Sequence, residues 1–300
     1  MSLFQGDTYE KLFGETSTRV AAAALSYLPL STYNADTKIL DSACGPGIVT
    51  RLLLSPLPEY VSHLHLPLPI NPAPSVTGID LSQAMVDQYN ACAKTDNWTT
   101  TRTYVQSAQD LNIIPDGSLD AVIMSLGIFA LPDPVAGVRE MHRVLKPGGH
   151  AAVTTWKVRR PQQIMAAAVE AIRPGSKLNN DLDPRWETIE FLESVMHEGG
   201  FSSSRIRTKD GDKKTSEGES LKTVETTVDY TVGSAAAIVE ALSLPIWKSM
   251  FCKGWNDAEL ARWGPEVEKQ LTDREKETGT LQMVAIICVA RKEPSVVLSL

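Results

Sequence analysis

The chain has 300 residues, 43% apolar and 22% charged, with 29 basic against 36 acidic side chains and a net charge of −7. That is the make-up of a globular chain with material for a sizeable core, and its acidic balance disfavours broad binding to nucleic acid or anionic membrane. The expected partner is a small molecule. Cys44, Cys92, Cys252 and Cys288 stand too far apart for a metal knuckle and are too few for a disulfide framework, and the first residues lack the basic-then-apolar run of a secretory leader. Reduced thiols, no bound metal and a cytoplasmic location are the corresponding expectations.

Residues Tyr9 to Leu28 are strongly helix-prone and stop at Pro29; Tyr9 and Phe13 on this arm could close over a ligand. Lys38–Asp41 reads as a buried strand, Ser42–Gly47 as a small-residue turn, and Gly47 to about Leu54 as a helix. Gly45 and Gly47 allow close ligand approach there, and the helix N-terminus offers unpaired N–H groups. Ser55–Ser75 carries six prolines and reads as an extended surface excursion; His63 and His65 within it have no further metal ligand nearby.

Val76–Asp80 is a second strand ending in an acid, with Ser82 placed to cap the next helix. An acid at that strand tip is sited to accept hydrogen bonds from a ribose diol. Asp80 lies 33 residues beyond Gly47, against roughly 20 in dinucleotide folds, and the proline-rich insertion accounts for the excess. Thr103–Gln106 is a third strand, and Asp120–Leu126 an apolar one buried on both faces. Asp133 caps a helix with Pro134 at its first position, which stops at Lys146-Pro-Gly-Gly149 before a fifth strand, Ala151–Trp156.

Strands separated by helices call for a doubly wound, mostly parallel sheet of Rossmann-like type, with ligands at the carboxyl ends of the strands near the switch point. Asp41–Gly47, Asp80–Leu81, Ser107–Ala108, Ser125–Phe129 and Trp156 fall on that edge. Farther on, Gln162–Ile172 and Trp186–Glu198 read as helices, Ser203–Thr208 as a sixth strand, Lys209–Ser220 as a charged loop and Lys222–Val232 as an exposed strand. Ser234–Leu244 follows as a helix, Asn256 with Glu259 as a capping box, and Leu281–Ala290 as a last buried strand. Trp186, Trp247, Phe251, Trp255 and Trp263 gather in this second half, which reads as helices covering a substrate pocket.

The segments ILDSACGPG, VTGIDLS and LDAVIMSLGIFALPDPVAGVREMHRVLKPGGHAAVTTW resemble the motifs of class I methyltransferases that use S-adenosylmethionine. More narrowly, DSACGPG and TTWKVRRPQQIMAAAVEAI are similar to fungal secondary-metabolite methyltransferases, the gliotoxin bis-thiomethyltransferase among them. The resemblance implies a seven-stranded sheet with an antiparallel last strand. It implies a helical arm over 1–37, a cofactor core over 38–160 and cap helices with the last strands over 161–300, in a single methyltransferase domain. Asp41 with Ala43, Gly45 and Gly47 would hold the amino acid end of S-adenosylmethionine. Asp80 would take the ribose, Leu81, Ser107 and Ala108 the adenine, and Ser125 the wall beside the sulfonium. Tyr9 is a further cofactor contact, and Phe13, Phe129, Trp156 and Trp247 are substrate contacts.

Ala43 stands where glycine is usual, which argues for a negative φ there. Asp41 suits an ammonium group and would repel a pyrophosphate, and G-x-G-x-x-G is missing, so S-adenosylmethionine is favoured over NAD. The implied reaction is methyl transfer to a sulfur, nitrogen or oxygen atom of a small molecule, with S-adenosylhomocysteine as product and no base assigned. A thiol, amine or acidic phenol needs least help in losing a proton. The alternatives are an enzyme that binds the cofactor while promoting cyclisation or elimination, a non-catalytic binding protein, and methylation of RNA or protein.

Overall fold

The computed structural model describes residues 6–176, 183–201 and 220–293, with side chains from residue 13 onward. Seven strands form one sheet in the order β3-β2-β1-β4-β5-β7-β6. They are β1 (Lys38–Ser42), β2 (Ser75–Asp80), β3 (Thr101–Val105), β4 (Leu119–Met124), β5 (Leu145–Val158), β6 (Leu221–Thr231) and β7 (Thr280–Arg291). The first five pair in parallel, with Asp41 opposite Gly78 on one side and opposite Ile123 on the other. The last two are joined by antiparallel pairing: Gly148 N–H donates to Lys292 O and Lys292 N–H to Gly149 O across β5 and β7, and Arg291 N–H donates to Ser220 O while Val232 N–H donates to Gly279 O across β7 and β6. The expected Ser203–Thr208 strand, and all of the expected loop at 209–220 except Ser220, lie outside the described residues.

The chain divides into two compact units. The first comprises Met1–Thr155, Trp186–Thr226 and Ile286–Leu300. In it α1 (Gly6–Leu25) packs on α2 (Ile48–Leu54), which follows the β1 turn, and on α3 (Gln83–Thr95). Helix α4 (Pro134–Val144) starts as expected: the Asp133 carboxylate accepts from Ala136 N–H, and Pro134 needs no partner for an N–H it lacks. It packs on α6 (Ile189–Glu198).

The second unit comprises Trp156–Arg185 and Thr227–Ala285. Its α5 (Arg160–Ile172) packs on α9 (Asp257–Lys269), and α7 (Ala235–Ala241) touches both α9 and α10 (Asp273–Thr278). Two bidentate pairs, Arg160–Glu275 and Arg173–Glu259, fasten these helices, and the fully buried Trp263 donates its indole N–H to Leu242 O at 3.0 Å. The Asn256/Glu259 capping box forms as read from sequence. A short helix α8 (Pro245–Phe251) was not foreseen, and the expected Ser234–Leu244 helix ends at Ala241.

Two expectations need correction. The proline-rich segment is not an extended surface excursion. It contains a 3₁₀ helix, Glu59–Leu64, whose Val61 is fully buried, and Ile70 N–H donates to Leu53 O. Leu57, Leu64, Leu66 and Leu68 pack on the α1–α2 cluster, because apolar side chains between the prolines gain more from cover than from water. Strand β5 also begins at Leu145, not Ala151. Lys146-Pro-Gly-Gly149 forms an irregularity in which Leu119 faces Leu145 while Ala121 faces His150.

Candidate cofactor site

At the carboxyl edge of the parallel strands the first unit holds a cavity of about 340 Å³, whose charged lining residues, among those described, are two acids, Asp41 and Asp80. It is built at the switch point between β1 and β4, where the strand order runs to β2 and β3 on one side and to β5 on the other.

Asp41, the last residue but one of β1, is almost wholly buried, and its Oδ2 accepts from both the N–H (3.1 Å) and the hydroxyl (2.8 Å) of Thr50 on α2. Tyr89 OH in turn donates to Thr50 Oγ1 at 2.9 Å. Burial pushes the Asp41 carboxyl up to about 7 against the lowering effect of the Thr50 bonds, and Asp80 adds to the rise. Such a carboxyl gains most from a cation placed against it.

Asp80, at the tip of β2, accepts from Gly45 N–H at 2.9 Å through Oδ2 and from Ser82 N–H at 2.8 Å through Oδ1. It therefore holds the β1 turn in place while keeping further lone pairs on each oxygen for a diol. Leu81 beside it is 74% exposed, an apolar surface suited to the face of a base. Two acids and an exposed leucine in this order fit a ligand with an ammonium at one end and a ribosylated base at the other.

Of the residues singled out in the sequence, Asp41, Ala43, Gly45, Asp80, Leu81, Ser107, Ala108 and Ser125 all line the cavity. Gly47 does not. A β-carbon there would stand 2.8 Å from the Tyr89 ring, so this glycine makes room for packing, as does Gly78 of β2 at the same distance. Phe13 and Phe129 belong to the first unit without being among the lining residues; Tyr9 lies in α1 with its side chain outside the described residues. Trp156 and Trp247 belong to the second unit, Trp247 stacked on Phe251 with ring centroids 5.9 Å apart. Trp186 instead falls in the first unit, edge-on to Phe191. Cys44 is buried in the turn, its thiol held well above the ordinary range by burial.

Ala43 contradicts the expected backbone: its φ is +53. The turn needs a left-handed residue here so that Cys44 N–H can reach Ile79 O at 2.8 Å, and alanine takes that conformation at a cost. The sequence reading also missed Ser17, Met85, Gln106 and Gln109, which are among the other lining residues. Ser17 lies one helical turn after Phe13, so the arm does reach the cavity, through the next residue on that face.

A model of the methyltransferase domain matches residues 40–153. The chain is 28% identical to methyltransferase tpcH of Aspergillus fumigatus over 57% of its own length and 59% of that protein's. It is 33% identical to the demethylmenaquinone methyltransferase of Staphylococcus aureus over 58% of its own length and 72% of that protein's. The chain belongs to the class I S-adenosylmethionine-dependent methyltransferases. This methyltransferase spans little more than half the length of the first of those curated relatives, at 59%. Its fold is shared with a Haemonchus contortus phosphoethanolamine N-methyltransferase solved with phosphomonomethylethanolamine and S-adenosylhomocysteine, at a TM-score of 0.51, 14% identity and coverage of 98% of this chain and 58% of that one.

Proposed function

We propose that the protein transfers a methyl group from S-adenosylmethionine to a sulfur, nitrogen or oxygen atom of a small molecule, a fungal secondary metabolite in the narrower reading. The observation that carries this is the pair of acids at the tips of adjacent strands in one cavity, Asp41 buried and Asp80 beside the exposed Leu81. In this proposal Asp41 faces the ammonium, Asp80 the ribose diol, Leu81, Ser107 and Ala108 the adenine, and Ser125 the sulfonium side. When bound, S-adenosylmethionine supplies an activated methyl on sulfur, which an in-line nucleophile takes while the bonding pair returns to sulfur and the nucleophile's proton passes to solvent.

The chain's contribution is then to position and to enclose, which can supply about 7 to 11 kcal/mol of the barrier. The acidic net charge of −7 supports a small acceptor over nucleic acid. Among the described residues no helix is long and apolar enough to cross a membrane, which agrees with the cytoplasmic reading included in this proposal.

The test is incubation with isotopically labelled S-adenosylmethionine and a panel of candidate metabolites, followed by mass measurement. A labelled methyl on one metabolite is the expected result. Saturable cofactor binding with the metabolite altered but unmethylated would replace transfer by cyclisation or elimination.

A further inference from the structure

The connection that leaves β4 carries, after Ala43, a second cavity-lining non-glycine residue in the left-handed region: Leu126 has φ +57. Ser125, Leu126 and Gly127 all line the cavity, so this strained segment forms its wall. Leu126 N–H donates to Thr154 Oγ1 at 2.8 Å, and Ser125 Oγ lies 3.4 Å from the same oxygen. Thr154 sits on β5 and is fully buried, where a purely apolar side chain would otherwise be favoured.

We infer that Thr154 is a positioning residue for the cofactor site, its hydroxyl locking Ser125–Gly127 in the conformation that walls the cavity. The lock extends across the cavity. Gly127 lies so close to Ala43 that an added β-carbon would stand 2.6 Å from the Ala43 methyl, so a shift of the wall reaches the turn that presents Gly45 N–H to Asp80. Only a hydroxyl serves here: valine fills the same volume on β5 but leaves the Leu126 N–H without its acceptor, and the left-handed residue then relaxes. The inference rests on the reading that this cavity takes S-adenosylmethionine.

The experiment compares wild type, Thr154→Val and Thr154→Ser in the full chain, by calorimetric titration with S-adenosylhomocysteine and by exchange of the Leu126 amide without ligand. Thr154→Val is expected to bind about ten-fold more weakly, with Leu126 exchange about ten-fold faster, and Thr154→Ser to restore both to within about two-fold. If Thr154→Val lowers the melting temperature but leaves affinity and Leu126 exchange unchanged, Thr154 is only a packing residue and the inference fails. Wild-type protein that binds no S-adenosylhomocysteine contradicts the cofactor reading instead, and Leu126 exchange, which needs no ligand, still decides the role of Thr154.

Discussion

Ala43 and Gly127 face each other across the switch point so closely that a methyl added at Gly127 would lie 2.6 Å from that of Ala43. Gly127 itself has φ −109, a conformation any residue adopts, so its small size serves the contact and not the backbone. Gly127→Ala is therefore expected to cost about 1 to 3 kcal/mol by overpacking and to weaken S-adenosylhomocysteine binding. Adding Ala43→Gly should recover most of that loss, since it removes the opposing methyl and the left-handed strain together. Denaturant melts of the two single variants and the double variant check the coupling; additive losses would contradict it.

The two glycines of the β1 turn should respond differently to alanine. At Gly47, φ +91 combines with a contact of 2.8 Å to the Tyr89 ring, whereas at Gly45, φ +51 comes with open space within 4 Å. Gly47→Ala is expected to cost about 3 kcal/mol, strain plus overpacking, and Gly45→Ala about 1 kcal/mol from strain alone. Melting temperatures of the two variants give the comparison.

Asp41 predicts opposite pH slopes for stability and for binding. Its carboxyl is pushed up to about 7 by burial, while an aspartate in the unfolded chain titrates near about 3.9. The folded state thus holds the proton more tightly, and the resulting stability is complete below the unfolded value and lost as pH rises to about 7, at up to about 1.4 kcal/mol per pH unit. A cationic ligand end favours the charged carboxylate, so cofactor affinity should rise over the same window. Melts and S-adenosylhomocysteine titrations between about pH 5.5 and 8.5 test both slopes, which Asp41→Asn should flatten.

Asp80 carries two backbone N–H groups, from Gly45 and Ser82. Asp80→Ala leaves both without their carboxylate and is expected to cost about 2 kcal/mol in stability and more than about ten-fold in cofactor affinity. Asp80→Asn keeps one acceptor oxygen and should lose less of each. Unchanged affinity in Asp80→Ala would remove the ribose from this position.

Much of the framework is local and could be read directly. The Asp133–Pro134 start of α4 and the Asn256/Glu259 box depend on side chains reaching backbone groups three residues away. The apolar strands, and acids at the tips of two of them, follow from periodicity and end effects. The proline-rich segment was misread because prolines report backbone limits and say nothing about which neighbours its leucines will meet.

What the sequence alone determined is therefore the order of the first five strands, the caps at Ser82, Asp133 and Asn256, and the placing of Asp41, Asp80 and Leu81 on one edge, since each depends on residues a few positions apart. The tertiary structure decided the rest: that Ala43 and Leu126 are left-handed, that Gly47 and Gly78 serve Tyr89, that Ser17 reaches the cavity, and that Thr154 holds a loop from the neighbouring strand. Each of these is set by the close approach of segments distant in the chain, where a single methyl or hydroxyl chooses between conformations that local preference leaves nearly equal in energy.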